Sequence, residues 1–202
     1  MAAAQRIPVV GLTGGIAAGK SEALAALDRL GAATLSADAV VHELLGTDAV
    51  RDALVERWGG DVAPGGAVDR ERVAAIVFRS PEELGWLERT LHPLVGERIV
   101  AWRDELGDGP PLAVVEVPLL FESGMEGAFD ATISIVAADA VRAERAGVRG
   151  TLELEGREAR QLSQGEKARR ATYAVTNDAG LEELERSLER VIDQLVSARK
   201  AE

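Results

Sequence analysis

The sequence contains no cysteine, which excludes disulfides and thiolate metal sites and makes a reducing cytoplasm the simplest compartment. Positive charge is also scarce: 23 lysines and arginines stand against 34 aspartates and glutamates, a formal net charge of -11. That balance argues against general affinity for nucleic acid or for an anionic membrane surface, so a polyanionic ligand needs a local basic site. Long hydrophobic runs are missing as well. The first one, Ile7 to Leu12, is far below the ~20 residues of a membrane span and too short for the core of a signal peptide. Neither secretion nor membrane residence is expected. No second histidine follows His42-Glu43 at zinc-peptidase spacing, and the N-K-x-D reader of a guanine base does not occur.

What is there suits one α/β domain with a substantial core and room for a small subdomain: 202 residues, 47% hydrophobic and 28% charged. The run Ile7 to Leu12 ends in Gly14 and Gly15, as a buried strand entering a glycine turn. Leu24, Leu27 and Leu30 follow at helical spacing and stop at Gly31. Ala33 to Leu35, Leu112 to Val117, Ala131 to Val136 and Tyr173 to Thr176 complete five strand candidates separated by helical stretches. The expected fold is therefore α/β, a five-stranded, mostly parallel sheet flanked by helices.

Two inserts interrupt that pattern. The first, residues 39–106, reads as mainly helical. Within it Ser80-Pro81-Glu82-Glu83 predicts a helix start, with Ser80 as cap, Pro81 at the first helical position and Glu83 closing a capping box. His92 precedes Pro93, which predicts a helix break there. The second insert, residues 139–170, is polar and rich in arginine, which by itself describes a solvated helical face. The chain closes with Leu181, Leu184, Leu188, Val191, Ile192 and Leu195 at the spacing of a helix packed on the sheet.

The segment Gly14-Gly15-Ile16-Ala17-Ala18-Gly19-Lys20-Ser21 matches G-x-x-x-x-G-K-[ST] in full. Glycines let the backbone curl around a phosphate, and the helix that follows presents its positive end to the same anion. Lys20 is placed to reach the β- and γ-phosphates of ATP, and Ser21 to offer its hydroxyl to Mg²⁺. Gly15 to Ser21 are the expected nucleotide-binding residues. Ala17 stands where many such loops carry glycine, so its backbone has to accept a Cβ. Glu22 suits the helix dipole but not a phosphate, so its side chain is expected to point away.

A kinase acting on an alcohol needs a carboxylate to orient the hydroxyl and accept its proton. Asp38, just past the second strand candidate, is placed for that role or for capping the next helix. Glu116, at the end of the third, suits a carboxylate supporting Mg²⁺ through water or a structural partner. Arg145 and Arg149 are four apart and share a helix face if the helix continues, with Arg157 and Lys167 beyond them. Such cations stabilise the charge of a transferring phosphoryl group.

These motifs, in order, resemble the dephospho-CoA kinase family from about Ile7 to Leu184: Gly11 to Ile16 running into Gly19-Lys20-Ser21, Ala37-Asp38, Leu91-His92-Pro93-Leu94, and Val117-Pro118-Leu119-Leu120-Phe121-Glu122. Arg157 with Gln161, Lys167, and Asn177 with Gly180 continue the likeness. The phosphate loop is shared by many families, whereas P-L-L-F-E together with Leu-His-Pro is far more specific. Ser36 departs from the family's usual acidic residue, and the stretch from Arg149 to Arg157 is short. The resemblance implies phosphorylation of the ribose 3′-hydroxyl of dephospho-CoA by MgATP, with Asp38 as base and Arg145 and Arg149 as lid cations. It implies a CoA-binding first insert, with His92 and Arg157 toward the substrate, and a lid made by the second. A nucleoside or shikimate-like kinase would share the loop and the Asp but is not expected to carry Val117 to Glu122. A GTPase switch is the reading of a different class; its D-x-x-G match, Asp104 to Gly107, ends a helix rather than a strand.

Overall fold

The computed structural model describes residues 7–107, 109–147 and 161–200. Five strands, β1 (Val9–Gly14), β2 (Ala33–Ser36), β3 (Ala113–Glu116), β4 (Ala131–Val136) and β5 (Tyr173–Thr176), form one parallel sheet in the order β2-β3-β1-β4-β5. All six residues of β1 are buried, as a central strand covered on both faces requires. Parallel pairing places every C-terminal strand end on the same edge, which is where ligands bind in such sheets.

The helices in chain order are α1 (Lys20–Arg29), α2 (Ala37–Leu45), α3 (Asp48–Trp58), α4 (Arg70–Val77), α5 (Pro81–Glu105), α6 (Asp139–Gly147), α7 (Gln164–Arg170) and α8 (Leu181–Lys200). Val10, Leu12, Ile133 and Ile135 on one sheet face pack with Ala23, Ala26 and Leu27 of α1 and Leu184, Leu188 and Ile192 of α8. These α8 positions carry the helical spacing read in the sequence. On the other face, Gly11 admits a close approach: a Cβ there would lie 3.0 Å from Leu120 and 3.1 Å from Phe129.

The chain divides into two compact units, Ala37–Trp102 and the remainder. The first holds a core of its own, Val50, Leu54, Val62, Val73, Val77 and Leu91. Its helix starts are capped by side chains: Thr47 accepts from the N–H of Val50, and Asp69 from those of Glu71 and Arg72.

Two local expectations for this unit are corrected. Ser80 does cap α5, accepting from the Glu83 N–H at 3.3 Å, but the Glu83 carboxylate does not close a box. It accepts from Arg57 at 2.9 and 2.8 Å and from Trp58 Nε1 at 2.7 Å, because a two-pronged charged donor outcompetes a neutral backbone N–H. The His92-Pro93 pair does not break the helix either: α5 runs unbroken from Pro81 to Glu105. Pro93 withholds one helical hydrogen bond, and burial of Leu91, Val95 and Ile99 on one face offsets the loss.

Candidate active site

Local geometry at the phosphate loop follows from its glycines. At Gly14 a Cβ would sit 2.4 Å from the Ile135 carbonyl oxygen, so strand β4 can approach only because no side chain is present. Gly19 adopts φ 94° and caps α1 in the left-handed conformation. Ala17 takes φ 57°, the one described non-glycine residue with a positive φ. Its backbone therefore accepts a Cβ only at a steric cost.

The loop's carbonyls are held by donors. Lys20 Nζ donates to Gly14 at 3.3 Å and to Gly15 at 3.1 Å. Arg142 Nε donates to Ile16 at 2.8 Å. Ala18 accepts from Asn177 Nδ2 at 3.1 Å and from Arg145 Nη1 at 3.4 Å. In a trans peptide the N–H points opposite to the C=O, so anchoring these carbonyls sets the direction of the N–H groups of Ala17 and Gly19. Ser21 is exposed in the first turn of α1. Glu22 is exposed and lies 3.8 Å from Arg29, which is away from the loop.

Helix α7 braces the loop from a neighbouring position. Gln164 accepts from the Ala137 N–H at 3.1 Å and donates to the Ala137 carbonyl at 2.8 Å. A Cβ on Gly15 would lie 3.1 Å from Gln164 Cβ, so the loop and α7 pack closely at that glycine. One turn on, Lys167 is fully buried. Its ammonium donates to the Pro118 carbonyl at 2.6 Å and pairs with Glu122 at 3.1 Å. Burial pulls its pKa below the ordinary lysine value, and Glu122 opposes that shift. Lys167 is thus a structural cation in the core, which corrects its reading as a cation over the transferring phosphoryl group.

The structure gathers Gly15, Ile16, Ala17, Ala18, Gly19, Lys20, Ser21 and Arg145 into one cluster. It adds Arg142, Gln164 and Asn177, whose contacts with the loop the sequence did not disclose. Arg142 had one available signal, since it lies one turn before Arg145 on the same face of α6. Asp38 and His92 belong to the Ala37–Trp102 unit and are both exposed. Asp38 occupies the second position of α2, inside the helix rather than at its N-cap. Glu116 ends β3, in register with Leu12 and Ser36. Arg149 and Arg157 lie outside the described residues. Among the described residues no three histidines or carboxylates are grouped to hold a metal ion, and no helix is long and apolar enough to cross a membrane.

Residues 8–183 match the family model for dephospho-CoA kinase. The chain belongs to the dephospho-CoA kinase family. It is 40% identical over 190 residues to the dephospho-CoA kinase of Deinococcus radiodurans, covering 92% of this chain and 91% of that one. The Protochlamydia amoebophila enzyme of the same name is 36% identical over 193 residues, covering 92% and 95%. A Thermus thermophilus crystal structure superposes with a TM-score of 0.82 at 34% identity, over 94% of this chain and 98% of that one. The dephospho-CoA kinase of Campylobacter jejuni shares the fold, with a TM-score of 0.69 at 24% identity over 94% and 98%. The sheet order, the loop and the family membership agree on a P-loop kinase.

Proposed function

We propose that this chain transfers the γ-phosphoryl group of ATP to the ribose 3′-hydroxyl of dephospho-CoA, giving CoA and ADP, in the cytoplasm. The observation that carries the reading is the loop Gly14 to Ser21, closed by left-handed Gly19 at the start of α1 with Lys20 over its carbonyls, in a chain of this family. Backbone N–H groups, the α1 dipole and Lys20 supply the positive potential that a triphosphate needs on a protein of net charge -11.

Asp38 orients the acceptor hydroxyl and takes its proton as the oxygen bonds to the γ-phosphorus, while the bond from that phosphorus to the ADP oxygen breaks. Strand β2 leaves the sheet at the same edge as the loop, and Asp38 follows its last residue by two positions. Arg145 and Arg149 balance charge on the transferring group from the lid, residues 139–170. The helical insert, residues 39–106, carries the acceptor, with His92 and Arg157 toward the substrate. Mg²⁺ suits the donor set: it takes few protein ligands beside nucleotide phosphates, and Ser21 offers one hard oxygen in the first turn of α1. When bound, the ion neutralises charge on the β- and γ-phosphates.

The test is coupled ADP release with dephospho-CoA, adenosine, AMP and shikimate offered in turn. Dephospho-CoA is expected to be turned over with strong preference. Turnover of another acceptor with none for dephospho-CoA would end this reading. If His92→Ala left both KM for dephospho-CoA and kcat unchanged, that histidine would keep a structural role only.

A further inference from the structure

We infer that Asn177 is a positioning residue for the phosphate loop, setting the direction of the Gly19 N–H by holding the carbonyl of the same peptide group. The inference rests on the reading of Gly14 to Ser21 as the ATP site. Asn177 follows β5 directly and is almost fully buried, at 4% exposure. Its own N–H donates to the Val136 carbonyl at 2.8 Å, so its backbone is tied to the end of β4. From there the side-chain amide donates to Ala18.

A second observation is independent of that hydrogen bond. The position of an ideal Cβ on Gly19 is only 2.2 Å from Asn177 Nδ2. The amide therefore fills the space that any other residue at position 19 would need. Steric contact with Gly19 and a hydrogen bond to Ala18 fix one peptide unit from two sides. The Ala18–Gly19 peptide then cannot flip to aim its oxygen at the phosphates, where it would repel them. Arg142 does the same for the Ile16–Ala17 peptide through the Ile16 carbonyl.

Because the role is exerted through the loop, it predicts a pattern of losses that fold damage would not give. Asn177→Ala removes one buried hydrogen bond, on the scale of about tenfold in binding. ATP affinity is expected to fall about tenfold, adenosine affinity to stay within about twofold, and KM for dephospho-CoA to be unchanged. Asn177→Asp keeps size and shape but sets an oxygen against the Ala18 oxygen and adds negative charge beside a polyphosphate. It should weaken ATP binding further, by about thirtyfold or more.

The experiment is calorimetric titration of ATP and adenosine into wild type and both variants, with steady-state kinetics and thermal denaturation alongside. ATP binding within twofold of wild type in either folded variant would overturn the inference. So would equal losses for ATP and adenosine, which would place Asn177 at the base or ribose. If Asn177→Ala does not fold, the isosteric Asp variant decides alone. A wild type that binds no ATP or leaves dephospho-CoA unphosphorylated would instead refute the function proposed for the site.

Discussion

The ammonium of Lys167 and the carboxylate of Glu122 form an ion pair at 3.1 Å with the lysine entirely out of solvent. The same carboxylate oxygen accepts the Leu162 N–H at 2.7 Å, and the ammonium also donates to Pro118. Arg170, one turn further along α7, lies over the Phe121 ring at 4.8 Å and pairs with Glu126. The Pro-Leu-Leu-Phe-Glu stretch that made the family resemblance specific is therefore where α7 is fastened after β3.

A buried pair is costly to break from one side, because the remaining charge keeps its desolvation penalty without its partner. Lys167→Ala should lose about 3–5 kcal/mol of stability in urea denaturation, whereas Lys167→Met combined with Glu122→Leu should lose much less. A loss below about 1 kcal/mol for Lys167→Ala would put the pair on the scale of an exposed salt bridge. The pH dependence has a definite sign. Burial lowers the folded pKa of Lys167, so the unfolded chain holds this proton more tightly. Wild-type stability relative to the double variant should rise as pH climbs from the folded value toward the unfolded one.

Asp38 and Lys20 should fail in different ways. Asp38→Asn keeps size and one hydrogen bond but loses the proton acceptor, so kcat should fall by ~10² or more with ATP affinity little changed. Lys20→Ala removes the cation serving the β- and γ-phosphates and should nearly abolish turnover in a folded protein. Single-turnover phosphoryl transfer measured beside ATP affinity separates the two. Transfer within about threefold of wild type in Asp38→Asn would deny Asp38 the role of base.

At Ala17 the left-handed φ of 57° costs an L-residue about 1–2 kcal/mol. Ala17→Gly removes that strain while adding about 0.5–1 kcal/mol of chain entropy on folding. It should be neutral or stabilising by up to about 1.5 kcal/mol, whereas branched Ala17→Val should be destabilised and should bind ATP less well. Equal thermal midpoints for the Gly and Val variants would contradict the left-handed assignment.

In the Ala37–Trp102 unit, hydrogen bonds from Arg57 and then Trp58 hold the Glu83 pKa below the ordinary glutamate value. A lowered folded pKa stabilises above the unfolded value, and the gain is lost as pH falls through the folded one. Glu83→Gln should therefore flatten the acid side of the stability profile. Tryptophan fluorescence during denaturation reports it, since Trp58 and Trp86 pack edge to face at 5.1 Å beside the pair. Parallel acid limbs in wild type and variant would argue that other carboxylates govern it.

The sequence by itself determined the five strands, the helices after the first and last of them, and the phosphate loop, because these are written in neighbouring residues. A buried strand shows as an apolar run, a packed helix as leucines three and four apart, and the loop as glycines and a lysine at fixed intervals. Only the tertiary structure decided which side chains serve that loop. Asn177 reaches the Ala18 carbonyl from 159 residues away, and Arg142 reaches Ile16 from 126. The same holds for Lys167, a surface cation by local pattern, which parallel pairing and the packing of α7 bury against Pro118 and Glu122. Glu83 had a local partner available at Ser80 and took Arg57 instead, because the fold brought a charged, two-pronged donor within reach. Short-range periodicity records what a residue does for its own element, whereas a hydrogen bond across the sheet depends on strand order and register that no local stretch contains.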